Sequence, residues 1–384
     1  MMAMGHFAKL AVVLSLAVAL VGCGGLTSLP FGKCKLPGGG QSYGYLFNGD
    51  ACLATPRTIA ITSLVTFNLP PDTVKIWNDD GTSFTLSGVV QPQDFAMGAP
   101  GMPVYMLDNS PSNQRVAMVD LQAHKITTQI PLPQAVYSTS AMAFSPDGNI
   151  LVVTKGKAEL SVSTAPPSVV VVNLATNRVD AEIALPATVA PQGGIAITPD
   201  GKFAYVPVSD SIPGAAVTYS VYVIDIAARK VATIIALPSA VVHVAVTPDG
   251  NSVYVALKNS LVAIDVLTNT VMATIQFPVP TALDRIVMDP AGRYVYATNQ
   301  GPNIVIVDTI TNRYVDQIKV APIVSGTTRL RISGDGRLLY SIDQEDPFVN
   351  LVDTVGRTVL SRTRVTTFPV GQSGWNLFDV VPLQ

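Results

Sequence analysis

The chain has 384 residues, 48% of them apolar and 13% charged, with a formal net charge of −2. It is too apolar for a disordered chain and long enough to bury a large core. With no basic run anywhere, it lacks the electrostatic footprint of a nucleic-acid binder, and no nucleic-acid partner is expected.

In chain order, the first element is a processing segment. Lys9 gives a thin basic start, and Leu10 to Val21, apolar but for Ser15, is too short to span a bilayer as a helix, which is the pattern of an export signal. It ends in Leu20-Val21-Gly22-Cys23, which resembles the lipobox of bacterial lipoproteins. The resemblance implies a signal peptide over 1–22 and a diacylglyceryl thioether on Cys23, usually joined by a third acyl chain. Each buried methylene is worth about 0.8 kcal/mol and one chain alone holds reversibly, so several chains would anchor the protein to a membrane stably. The plainer alternative is an ordinary cleaved signal followed by a free thiol, a liability in an oxidising compartment. The expected location is the bacterial cell envelope. Gly24, where some bacteria use an Asp to retain lipoproteins at the inner membrane, leans it toward the outer one.

Residues 23–56 are expected to form a Gly- and Pro-rich tether. Cys34 and Cys52 flank "KLPGGGQSYGYLFNGDA" there. They form an even pair in an exported chain, so a disulfide closing that loop and a pair of reduced thiols both remain open.

From about Arg57 onward the chain alternates strand-like runs and turns, and no stretch carries a sustained helical period. Self-similarity at roughly forty to fifty residues, with several short strands per unit, is the signature of propeller blades. Ser145-Pro146-Asp147-Gly148, Thr198-Pro199-Asp200-Gly201 and Thr247-Pro248-Asp249-Gly250 are near copies, with Asp289-Pro290-Ala291-Gly292 and Ser333-Gly334-Asp335-Gly336 as looser ones. Pro presets φ and Gly tolerates a positive φ, so each reads as a hairpin turn. Tyr205, Tyr254, Tyr296 and Tyr340 stand four residues past their Gly. The next apolar run closes on Asn173, Asp225, Asp265, Asp308 or Asp353, and an Asn four residues beyond the acid suits a left-handed backbone.

Tyr296-Ala297-Thr298-Asn299 and the following "QGPNIVIVDTITNRYVDQI" resemble the YVTN-family β-propeller repeat, and the Thr-Pro-Asp-Gly turns are shared with seven-bladed lactonase-like propellers. The likeness runs from about Met102 to Val365. The expected fold is therefore all-β, a seven-bladed β-propeller of four-stranded antiparallel blades over 57–384. Five repeats are clear, and Met102 to Ile130 supplies a sixth, closed by Asp120, with a weak strand over Val89 to Met97 ahead of it. Arg57 to Phe67 and Thr73 to Gly88 supply a seventh that lacks its innermost strand. The isolated Gly374 to Pro382 strand is expected to complete it and close the ring.

In such a ring the Pro-Asp-Gly turns share one face, and the longer connections between second and third strands share the other. Seven residues before the turn glycines stand Ala141, Gly194, His243, Arg285 and Arg329, so a His and two Arg are expected to converge at the channel mouth. Asn299, Asp343 and Trp375 are further candidates there. Convergent cations can clamp a carboxylate or phosphate, and the resemblance to lactonase-like propellers implies basic residues acting on lactones at that mouth. The plainer reading pairs these arginines with Asp284, Asp343, Glu345 or Asp346. No His, Cys or carboxylate cluster has metal-ligand spacing, and hydrolase-elbow, zincin and phosphate-loop motifs are missing, so neither metal nor cofactor is expected. The leading expectation is a non-catalytic envelope lipoprotein that offers its loop face to a protein or glycan. The alternative is a lactonase-like hydrolase.

Overall fold

The computed structural model describes residues 31–35, 41–47, 51–52, 57–65, 73–77, 83–86, 88, 92–97, 103–109, 113–120, 123–133, 139–156, 166–278, 282–299, 301–320, 327–343, 348–364 and 375–383, with 31–77 and 375–383 described by their backbone alone. The chain divides into two compact units, Met1–Arg57 with Gln384, and Thr58–Leu383. The first unit holds β1 (Phe31–Lys35), β2 (Gln41–Phe47) and β3 (Ala51–Cys52), each hydrogen-bonded to the other two. Part of the stretch expected as a tether is thus paired strand, running antiparallel from Phe31↔Tyr45 to Lys35↔Gln41. Tyr43, Tyr45 and Phe47 alternate at the period of a strand, a signal masked in the sequence by the surrounding glycines.

In the second unit β4 (Arg57–Val65), β5 (Thr73–Trp77) and β6 (Ser83–Leu86) come first. Six antiparallel blades follow among the described residues. The first is β7 (Pro92–Met97), β8 (Val104–Asp108), β9 (Arg115–Asp120) and β10 (Lys125–Pro131), and the second is β11 (Thr139–Phe144), β12 (Ile150–Lys155), β13 (Ser168–Asn173) and β14 (Arg178–Ala184). In the third, the innermost strand is interrupted, so that β15 (Val189–Pro191) and β16 (Ala196–Ile197) both pair with β17 (Phe203–Asp210), followed by β18 (Thr218–Asp225) and β19 (Lys230–Leu237). The fourth is β20 (Val241–Val246), β21 (Ser252–Leu257), β22 (Ser260–Asp265) and β23 (Thr270–Gln276). The fifth is β24 (Leu283–Met288), β25 (Tyr294–Asn299), β26 (Asn303–Asp308) and β27 (Arg313–Lys319), and the sixth is β28 (Thr327–Ile332), β29 (Leu338–Asp343), β30 (Phe348–Asp353) and β31 (Thr358–Arg364). Finally β32 (Trp375–Leu383) joins a sheet ordered β32-β4-β5-β6. Successive innermost strands lie side by side, from β7 through β11, β16, β20 and β24 to β28, and β32 lies against both β28 and β7. This is the arrangement of an all-β propeller with four-stranded antiparallel blades.

The apolar core lies in the seams between blades. Val169 and Val171 of β13 pack toward the third blade, with Ile197, Val206 and Ile224, while Val170 and Val172 pack toward the first, with Leu107, Val116 and Ile130. Strands covered on both faces read as continuous apolar runs, which explains the valine run of β13. The outermost strands show the opposite pattern, alternating between exposed and half-covered residues in β14 and β27. In each of the six blades the outermost strand also carries a β-bulge near its start, as at Met272 of β23 opposite Ala263 and Ile264, which blunts its free edge.

The repeated residues hold the turns and the seams. Thr247 Oγ1 donates to Asp249 Oδ1 at 2.6 Å and accepts from Ser252 N at 3.0 Å, and Asp249 Oδ1 also accepts from Asn251 N at 3.0 Å. The same network recurs around Ser145, Thr198 and Ser333. Gly250 sits at φ 75° and a side chain there would crowd the Pro199 ring of the preceding turn, so two constraints require glycine. At the end of each third strand the closing acid accepts from the turn that follows, as Asp265 does from Thr268 N at 2.7 Å. The residue four beyond it is left-handed in six blades: His124, Asn177, Arg229, Asn269, Asn312 and Arg357 have φ between 51° and 55°. The sequence expectation for the asparagines holds, and His and Arg take the same position elsewhere.

These left-handed asparagines also receive the repeat tyrosines. Tyr205 Oη donates to Asn269 Oδ1 of the next blade at 2.9 Å, and Tyr254 Oη donates to Asn312 Oδ1 at 2.5 Å. Tyr296 is hydrogen-bonded to Thr354 of the sixth blade. Burial pushes Tyr205, Tyr254 and Tyr296 up to about 12, with nearby carboxylates adding to the effect. In the turns, the Thr198 hydroxyl pulls Asp200 down to about 2, and Ser145 and Thr247 lower Asp147 and Asp249 in the same way.

Two predictions follow from the seam and the turns. Tyr254→Phe should cost about 1 kcal/mol and Asn312→Ala about 2 kcal/mol, since the second change also puts Ala in a left-handed turn; chemical denaturation measures both. The pH dependence is two-sided. A carboxylate lowered on folding stabilises above its unfolded value, so the melting temperature should fall as pH drops from about 4 toward about 2. A tyrosine raised on folding stabilises fully below its unfolded value, so the melting temperature should also fall as pH rises from about 10 toward about 12.

Candidate functional site

Every well-paired innermost strand breaks register at the position the spacing picks out. The irregularity lies between Thr139 and Ala141 in β11, Val241 and His243 in β20, Leu283 and Ile286 in β24, and Thr327 and Arg329 in β28. A bulge re-aims the side chain it carries. The backbone thus sets His243, Arg285 and Arg329 at matching points on three consecutive, adjacent innermost strands.

Each candidate has definable surroundings. The His243 ring fills the space above Gly194, where a methyl would overlap the imidazole, and a side chain on Gly193, at φ 61°, would meet the Val242 carbonyl. The Gly193-Gly194 pair, which interrupts the innermost strand of the third blade, therefore makes room for the fourth. Arg285 is half-buried; its backbone N donates to Thr298 Oγ1 at 3.0 Å, and that hydroxyl donates back to the Arg285 carbonyl at 3.3 Å. The buried Thr298 satisfies the bulge and leaves the Arg285 side chain outside that exchange. Asn299 Oδ1 accepts from Gly301 N and Asn303 N, both at 3.1 Å, so this side chain holds the connection between β25 and β26.

Arg329, Asp343 and Trp375 are placed by backbone only. Arg329 lies opposite Ile342, Asp343 opposite Thr327, and Trp375 opens β32. Cys23 lies outside the described residues. Cys34 stands one residue before Lys35 and Cys52 one residue after Ala51, the pair that aligns β1 with β3. Among the described residues no three His, Cys, Asp or Glu side chains gather as a metal site.

Three polar features of the site went unread in the sequence. Asp94 stands seven residues before Gly101, the same spacing that marks His243, but the sequence Gly98-Ala99-Pro100-Gly101 lacks the Pro-Asp signature. It is nearly buried, and its Oδ2 accepts from Met142 N of the second blade at 3.0 Å. Arg331, in β28, donates to the Phe95 carbonyl of β7 at 3.1 Å, bridging innermost strands 236 residues apart. At the loop end of the second blade, the buried Lys155 Nζ lies 2.6 Å from Glu182 Oε1, which also accepts from Ser168 Oγ at 2.8 Å. Burial works to raise Glu182, but the Lys155 and Ser168 hydrogen bonds and the Lys155 charge hold it below the usual carboxylate range.

The fold defines an all-β propeller of four-stranded antiparallel blades, with polar residues at several of its strands. No known protein family matches the chain, and no curated protein is significantly similar to it. Among solved structures, the chain is similar to a chain of Kuenenia stuttgartiensis hydrazine synthase, at 18% identity over 73% of this chain and 89% of that one, with a TM-score of 0.58. At that identity the likeness concerns the propeller fold.

The packing of His243 on Gly194 gives a direct test. Gly194→Ala should destabilise by about 2 kcal/mol through overpacking, and adding His243→Ala should recover most of the loss because the obstacle is a side chain. Gly193→Ala should not be rescued, since its obstacle is backbone. Melting of the four variants measures the coupling.

Proposed function

We propose that the chain is an exported, lipid-anchored, seven-bladed β-propeller that serves as a binding module of the bacterial cell envelope through its loop face. The observation that carries this reading is the inequality of the two faces. At the turn face the same hydroxyls, carboxylates and amides satisfy one another blade after blade. At the loop face the blades differ. The second presents the Lys155–Glu182 pair, the fifth the Asn299-held connection, and the third a hairpin whose tip exposes Ile212 and Val217. Beside them lie His243 and Arg285. Residues that vary above a rigid scaffold are where binding chemistry collects.

The seven-blade count is supported by the β32-β4-β5-β6 sheet and by the contact of β32 with both β28 and β7. Export and lipid anchoring are supported by the apolar segment ending at Cys23, and membership of the YVTN-like propellers by the turn, tyrosine and asparagine pattern. The partner fitting this reading is an envelope protein or glycan. In the alternative reading, Arg285 and Arg329 polarise a lactone carbonyl while His243 or a loop carboxylate steers water.

Two experiments test the proposal. Cys23→Ala should move the protein from the membrane to the soluble fraction and abolish incorporation of labelled palmitate; an unchanged distribution refutes the anchor. The combined His243→Ala, Arg285→Ala and Arg329→Ala variant should lose its cross-linked envelope partner while keeping the parent's β-sheet circular dichroism and a cooperative melt. Lactone turnover by the wild type that disappears in this variant would instead establish the hydrolase.

A further inference from the structure

We infer that the turn face of the fourth, fifth and sixth blades rests on a lipid bilayer. The tips of the turns between third and fourth strands carry Leu267, Ile310 and Val355, exposed at 91%, 72% and 71%. In the second and third blades the same position holds Ala175 and Ala227. The three large aliphatic tips therefore occupy one structural position on three successive blades, and the seam bonds from Tyr254 to Asn312 and from Tyr296 to Thr354 keep these turns on one face. Val271, Met272 and Val315, at the start of the adjoining outermost strands, extend the apolar surface.

Two features favour a bilayer over a protein partner. The tips stand on separate turns one blade apart and include no aromatic residue, whereas protein interfaces concentrate aromatic anchors in one packed cluster. A bilayer takes separated aliphatic tips at one equivalent position of successive blades equally well. Second, several backbone donors of these turns are satisfied by their own closing aspartates. Asp265 Oδ1 accepts from Thr268 N, Asp308 Oδ1 from Ile310 N and Thr311 N, and Asp353 Oδ1 from Val355 N, at 2.7–3.1 Å. At the headgroup boundary these amides keep their partners and need no water. Three partly inserted side chains hold only reversibly, which suits a protein with a second attachment. The proposal rests on the lipid-anchor reading only for the source of the membrane. It turns the loop face away from the lipid, toward partners.

The test uses the processed chain from residue 23 with Cys23→Ser, so that failure of the anchor and failure of the tips are read separately. Co-sedimentation is measured against vesicles of phosphatidylcholine, alone and with phosphatidylglycerol. The Leu267→Ser, Ile310→Ser, Val355→Ser variant should lose about tenfold in partitioning to both vesicle types at unchanged melting temperature, and Ala175→Leu with Ala227→Leu should strengthen it. The proposal falls if the parent chain does not sediment with either vesicle or if the triple variant partitions unchanged. It falls too if Ile212→Ser with Val217→Ser removes the binding instead, or if light scattering shows a dimer without lipid that the triple variant dissolves.

Discussion

Tyr205 and Tyr254, each four residues after a turn glycine, are buried, yet their hydroxyls cross a seam to the neighbouring blade. That crossing expresses the constraint on which the rest depends: no blade owns a core. Val206 of β17 packs toward the second blade and Tyr205 toward the fourth, so each sheet is stable only between two others. Apolar burial supplies most of the stability but little direction. The hydroxyl-to-asparagine bond and the proline stacked on the next turn's glycine supply register, fixing how far one blade can slide against the next. A left-handed asparagine meets both demands, because it turns the chain and accepts the bond.

From this follows the polarity of the molecule. Seam bonds gather where the tyrosines and turns are, so the turn end of every blade is held to one pattern. Among the described residues the opposite end does not repeat the tyrosine and turn bonds, and there the blades diverge. The innermost strands lie between the two regimes. Their register breaks at one level, and what occupies that level varies: a carboxylate at Asp94, no bulk at Gly194, an imidazole at His243, a guanidinium at Arg285. Gly194 and His243 show that the choices are coupled, since the ring of one blade fills the space left by its neighbour.

Much of this was legible in the sequence because it is local. A Pro-Asp-Gly turn, a tyrosine at fixed offset and an asparagine four residues past an acid each state their backbone requirement within a few residues, and repetition makes them audible. The strand over 375–383 was readable because an isolated apolar run at the chain end needs a partner. What was missed is non-local or irregular. Lys155, Ser168 and Glu182 lie on three strands and belong to no motif, and Arg331 meets a backbone carbonyl 236 residues away. Asp94 obeys the same spacing as His243, but the Gly98-Ala99-Pro100-Gly101 stretch after it lacks the Pro-Asp-Gly signature. The strands over 31–52 were hidden by glycines whose composition suggests a tether.

The two apolar features on opposite faces fit this division of labour. A surface contact with lipid asks for nothing that varies from blade to blade, and the conserved geometry of the turn end can meet it by enlarging one side chain per tip, from Ala227 to Leu267. A partner with its own shape asks for asymmetry, which the loop end can provide because its connections follow no common pattern. The hairpin of the third blade, with Ile212 and Val217 exposed beyond a strand pair longer than its neighbours, is such an asymmetry. Holding one end of every blade to a common pattern is therefore what frees the other to become specific.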